Sequence, residues 1–189
     1  MKHIFWTLTT TFALFVSYEP IWLWLTGLTH ETVCLALGAT IVLVLLRHII
    51  RPVFQYCEVF IHEFTHLFFC LLFGRKVIGF KVSRTSGYVR YLGSSDGITG
   101  TIITLSPYCI PIVPLLLQFT CWLLNFFEIY YIPPMWSRAL VITSLVAYFQ
   151  LQKHQFHADQ PDFGKMGRYC SICCIFSLNL LWLTVLSAF

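Results

Sequence analysis

Long apolar runs separated by short polar stretches leave this chain few folds to choose from. About 20 apolar residues in a row suffice to cross a bilayer as a helix. Six candidate spans can be drawn: about His3 to Leu25, Glu31 to Ile50, Val53 to Phe73, Ile98 to Phe127, Ser137 to Leu151 and Tyr169 to Phe189. Glu19-Pro20 is expected to break the first of these, and Arg51-Pro52 to close the second. The first run has no small-residue cleavage site and reads as a retained helix. Pro107, Pro111 and Pro114 fall inside the fourth, so it must bend or break against its neighbours. Only 11% of the residues are charged and 58% are hydrophobic, with a mean hydropathy of +0.76. A soluble domain carries about 25% charged residues, and too few remain here to cover one. The expectation is a single all-α polytopic membrane domain over residues 1–189, with about six transmembrane helices and a short β-hairpin within 74–97.

A net charge of +4 does not make the chain a nucleic-acid binder, because its cations flank apolar runs instead of lining one helix. Counting those cations gives an orientation. Arg75, Lys76, Lys81, Arg84, Arg90, Lys153, Lys165 and Arg168 fall on one side of a six-span arrangement, against Lys2, Arg47, Arg51 and Arg138. The positive-inside rule then places the stretch after the third span in the cytoplasm and both termini outside. The cysteines lie mostly in apolar runs and read as small buried hydrophobes, not as a disulfide framework. Cys170 and Cys173 are spaced as a Cys-x-x-Cys pair but have no second pair to complete a zinc ribbon.

The third run contains His62-Glu63-Phe64-Thr65-His66, a His-Glu-x-x-His pattern. On a helix of about 3.6 residues per turn, positions four apart lie nearly one above the other. His62 and His66 are therefore expected to aim their imidazoles at one Zn2+ ion, with Glu63 about 100° round the helix as the base that takes a proton from water. Zinc supports that chemistry by lowering the pKa of a bound water to about 7 and by polarising the scissile carbonyl. In an apolar span a charged residue costs about 2.5–3.5 kcal/mol on insertion scales, so this constellation is poorly explained by accident. Glu58, one turn earlier, is expected either to orient a ligand imidazole or to sit at the interface near Arg51.

A catalytic zinc keeps three protein ligands and one open position. The third ligand is expected downstream, where His154, His157, Asp159 and Asp162 precede the last run. Asp162 is favoured because Pro161 fixes the turn that opens that run, and Asp159 comes second. Asp96 and His157 remain alternatives.

At these residues the chain resembles the site-2 protease family of intramembrane zinc metallopeptidases, the M50 group, and especially its small, compact members. The His-Glu-x-x-His lies on a span, and Gly74 to Val82 with Ser86 to Tyr91 follow like the family's hairpin. A proline-bearing span around Leu105-Ser106-Pro107 comes next, and then an aspartate opening a later span. The resemblance covers about Glu58 to Gly167, and only the His-Glu-x-x-His is specific. The family's third ligand is an aspartate usually followed by glycine, often after Asn-Pro; here the stretch is Gln160-Pro161-Asp162-Phe163-Gly164. The resemblance implies a zinc-dependent endopeptidase of a cellular membrane (the inner or plasma membrane in a bacterium) whose substrates are membrane proteins.

Val77 to Val82 and Tyr88 to Leu92 are β-prone and joined by Ser83 to Gly87. A strand edge there is expected to hold an unwound substrate by β-addition. No substrate-filtering domain is apparent, so selection falls to the membrane core or to an adaptor. The alternative is a non-proteolytic membrane assembly or metal-handling protein that retains a zinc site; intact Glu63 argues against it.

Overall fold

The computed structural model describes residues 2–93, 97–155 and 168–187. Seven helices and one hairpin are present among them: α1 (Lys2–Thr26), α2 (His30–Ile49), α3 (Arg51–Leu72), β1 (Val77–Val82), β2 (Gly87–Tyr91), α4 (Gly97–Cys109), α5 (Ile112–Phe126), α6 (Pro134–Gln155) and α7 (Arg168–Ser187). Two helices, α2 and α7, are long and apolar enough to cross a membrane, and the α4–α5 pair passes the same test when taken together. Six spans are therefore not reached on length and composition, since α1, α3 and α6 do not pass that test.

Contrary to expectation, α1 continues through Glu19-Pro20 without a break. A proline removes a single backbone hydrogen bond, and membrane-type helices tolerate that loss when their neighbours support them. Support comes from α7, which packs closely against α1. Ala13, Ser17 and Ser171 are all buried at no more than 2% exposure, and small side chains of this kind let helix backbones approach. Ser177 Oγ donates to Thr10 Oγ1 at 3.1 Å, and Thr7 Oγ1 meets the Tyr169 hydroxyl at 2.9 Å.

Thr29 caps α2 by accepting from the Thr32 amide at 3.2 Å, and Pro52 lies in the first turn of α3, where its missing N–H costs nothing. Along its length α2 runs parallel to α6. Arg138 Nη1 donates to the Gly27 carbonyl at 3.2 Å, Thr143 Oγ1 to the Ala36 carbonyl at 3.4 Å, and Arg47 Nη1 to Gln150 Oε1 at 3.4 Å. One end of the bundle thus holds the α1–α2 junction and the start of α6. The other holds the α2–α3 turn and the end of α6.

That arrangement changes how the fourth run is read. The pair α4–α5 is bent by 76°, the bend that the prolines within 98–127 require. Helix α4 starts beside the end of α3, where Arg75 Nη2 donates to Thr99 Oγ1 at 2.9 Å. It then descends along α3 as far as Cys109. From the bend α5 returns, with Leu115 packed against Val141, Leu145 and Leu186, and its last turn is tied to the start of α6. Asn125 makes that tie, its Oδ1 accepting from the Ile132 amide at 2.7 Å and its Nδ2 donating to the Ile132 carbonyl at 3.3 Å. Both ends of the pair therefore lie at the same end of the bundle. As a result Lys153, in the last turn of α6, groups with Arg47 and Arg51 and not with Arg75 and Lys76. That regrouping narrows the charge asymmetry that favoured one orientation.

The hairpin forms where expected. Gly74 adopts a left-handed φ of 66° just past α3, and the Arg75 amide reaches back to the Cys70 carbonyl at 2.8 Å, a helix-ending arrangement that glycine permits. Strands β1 and β2 pair antiparallel, from Val82 opposite Gly87 to Val77 opposite Tyr91, with an irregularity between Val77 and Gly79. Ser83 closes the turn, its amide donating to the Ser86 carbonyl at 2.8 Å and its hydroxyl donating to the same oxygen at 2.7 Å. The hairpin folds back along α3 instead of projecting away. Phe80 meets Phe60 edge to face at 6.4 Å.

Candidate functional site

His62, Glu63 and His66 occupy the middle of α3, on the side that faces α4 and the hairpin. The two imidazoles meet edge to face, with ring centroids 4.9 Å apart, as i and i+4 positions on one helix should. Both rings are half-buried, and Glu63 is 8% exposed. Each ring is fixed by α4. The Nδ1–H of His66 donates to the Ile103 carbonyl at 2.7 Å. That bond selects the tautomer with its lone pair on Nε2, the arrangement a metal-binding histidine requires. His62 packs edge-on against Tyr108 at 5.3 Å.

Pro107 explains why Ile103 has a carbonyl to offer. In an uninterrupted helix the amide of residue 107 would bond the carbonyl of residue 103, and proline has no amide hydrogen. The orphaned oxygen is taken by His66 and by Ser106, whose hydroxyl donates to it at 2.8 Å. A second oxygen is released at the α4–α5 bend, where the Ile112 amide turns to Ile110 at 2.8 Å and leaves the Tyr108 carbonyl outside the helical ladder. Three buried side chains from two other helices collect it. Tyr148 donates its hydroxyl at 3.0 Å, Asn179 its amide at 2.9 Å, and Gln152 donates as well. Unsatisfied buried carbonyls cost about 1–3 kcal/mol each, so these contacts turn the broken helix into a fixed wall for the histidines. Sequence reading found the prolines but not the residues that answer them.

Glu58 finds its partner on the preceding helix. Its carboxylate pairs with Arg47 of α2 at 2.8 Å, because the sharp turn at Ile50 folds the end of α2 against the start of α3. This pair borders a cavity of about 320 Å³ that reaches His62 and Thr65. Leu43, Phe54, Ile61, Leu140 and Leu151 make the rest of its wall largely apolar.

Among the described residues, no group of three or more His, Cys, Asp or Glu side chains converges as a metal site. His62 and His66 form a pair with suitable donors, and Asp162, Asp159, His157 and Asp96 lie outside the described residues. His154 falls in the last turn of α6.

Residues 33–149, well over half of the chain, match the peptidase M50B-like family. The chain belongs to that family, which places it in a class of membrane-embedded zinc metallopeptidases. The matched segment covers the motif helix, the hairpin and the broken pair, and stops before the connection that carries Asp159 and Asp162. No curated protein and no solved structure matches the chain.

Proposed function

We propose that this protein is a zinc-dependent intramembrane endopeptidase that cleaves transmembrane or membrane-proximal segments of other membrane proteins. The observation that carries the reading is the His62–Glu63–His66 face of α3, held against a carbonyl that Pro107 frees for the purpose. The donor chemistry fits zinc: two half-buried imidazoles on one helix face, one with its tautomer fixed, beside a buried carboxylate. His62, His66 and Asp162 hold the ion, with Asp159 the next choice for the third position. Bound zinc supplies Lewis acidity. Glu63 accepts the proton of the attacking water on its carboxylate and returns it to the leaving amine. The apolar cavity beside His62 receives side chains of the substrate and keeps bulk water away from the reacting bond.

A helical peptide bond has its carbonyl already hydrogen-bonded, so the substrate must be locally unwound. The outer edge of β2 offers backbone groups for an extended segment to pair with. In this reading α1, α2, α3, α6 and α7 cross the bilayer, and α4–α5 enters and leaves on one face. Non-helical backbone at that depth is tolerated because it is buried in protein.

A reporter transmembrane helix carrying a Gly-Pro pair in its apolar run, placed in proteoliposomes with the purified protein, tests the activity. Cleavage should cease with a zinc chelator and return on adding Zn2+. Cleavage indifferent to the chelator would overturn the zinc mechanism.

A further inference from the structure

We propose that Gly87, the first residue of β2, is a positioning residue that fixes the side chain of Glu63. The inference rests on the reading of Glu63 as the proton acceptor. A Cβ built on Gly87 would overlap the Cγ of Glu63 and lie 2.9 Å from both its Cδ and its Oε1. Real Cβ atoms do not approach that closely, so the hairpin backbone lies flush against the carboxylate only because residue 87 has no side chain. The conformation of Gly87 is not the reason, for it is not among the residues with positive φ. Space alone demands glycine here.

The consequence is mechanical. Glu63 lies between its own helix and the start of β2, with 8% exposure, and the strand removes rotamers that would swing the carboxylate toward the hairpin. The same strand, through its outer edge, holds the substrate in the proposed mechanism. One element thus sets the base and the peptide bond relative to each other. Gly79 provides the contrast in the same hairpin. A Cβ there would meet Tyr88 at 3.6 Å and Arg90 at 3.7 Å, which are ordinary contacts.

Gly87→Ala tests this in the full-length purified protein, with Gly79→Ala beside it. Cleavage of the Gly-Pro reporter should fall in kcat by about 10²-fold in Gly87→Ala, the loss typical of a displaced catalytic group. KM and zinc content should stay at the wild-type level, and Gly79→Ala should behave as wild type. A melting measurement supplies a readout independent of activity. Gly87→Ala should lower the melting temperature by several degrees when residue 63 is Glu, as overpacking does, and by much less in a Glu63→Ala background, where the overlapping atoms are gone. Should Gly87→Ala fail to fold alone, recovery of folding in the double variant supports the proposal. Wild-type kcat in Gly87→Ala overturns it, as does an equal loss of melting temperature or of folding in both backgrounds. Failure of the underlying reading shows separately, as cleavage that survives Glu63→Gln.

Discussion

Glu63→Gln abolishes cleavage while the protein keeps its fold and its zinc. The amide preserves the volume of the side chain and its packing against Gly87, so neither α3 nor the hairpin has reason to move. What it removes is the ability to accept a proton. General-base assistance contributes about 10²–10⁴-fold, and the residual rate falls below the detection limit of most reporter assays. Side-chain burial sharpens the expectation, because a carboxylate at 8% exposure is not readily replaced by bulk buffer as the proton acceptor. Cleavage rates and zinc content measured on the same preparation check it. If the variant cleaves at the wild-type rate, the proton goes elsewhere and the motif is structural.

Cysteines placed at Lys76 and at Glu128 are labelled by a membrane-impermeant thiol reagent from one face of the membrane, and a cysteine at Arg51 from the other. Cys34 and Cys57, which are exposed, are replaced by serine in this background. The result follows from the path of the broken pair. Helix α4 begins beside the end of α3 through Arg75 and Thr99, and α5 ends beside the start of α6 through Asn125 and Ile132. The labelled site after α5 must then share a face with the labelled site after α3. A pair that crosses as one bent span would instead put Glu128 with Arg51. Labelling of Glu128→Cys and Arg51→Cys from a common face contradicts the re-entrant path.

The sequence made the motif helix and the hairpin legible for different reasons. Four-residue spacing of His62 and His66 in an apolar run has few readings, and alternating β-prone residues joined by Ser83 to Gly87 signal a turn directly. Their packing was out of reach. Nothing local announces that β2 begins against Glu63, since glycine at a strand start is usually read as turn chemistry. Pro107, Pro111 and Pro114 declared that carbonyls would be freed, but the donors that answer those carbonyls come from afar. His66 lies 37 residues from Ile103, and Asn179 lies 71 residues from Tyr108. Tyr148, Gln152 and Asn179 each look like an isolated polar residue in an apolar run, and only their convergence on one oxygen gives them a purpose. The expected break at Pro20 erred the other way, because a proline shows its missing hydrogen bond in sequence but not the neighbouring helix that compensates. The run from 98 to 127 bends, as its prolines require, but nothing local gave the angle. Length fixes how far a helix can reach, and a 76° bend decides where it goes.

The zinc content of the detergent-purified protein, determined by elemental mass spectrometry beside His62→Ala and Asp162→Ala, decides whether this chain holds a zinc ion on α3. His62 is expected to be a direct ligand on α3, and Asp162 the ligand supplied from the connection between α6 and α7. One zinc per chain is expected in the wild type, with loss of zinc from both variants. A wild-type protein without zinc, or a His62→Ala variant that retains it fully, would mean that the His62–His66 pair is not a zinc site.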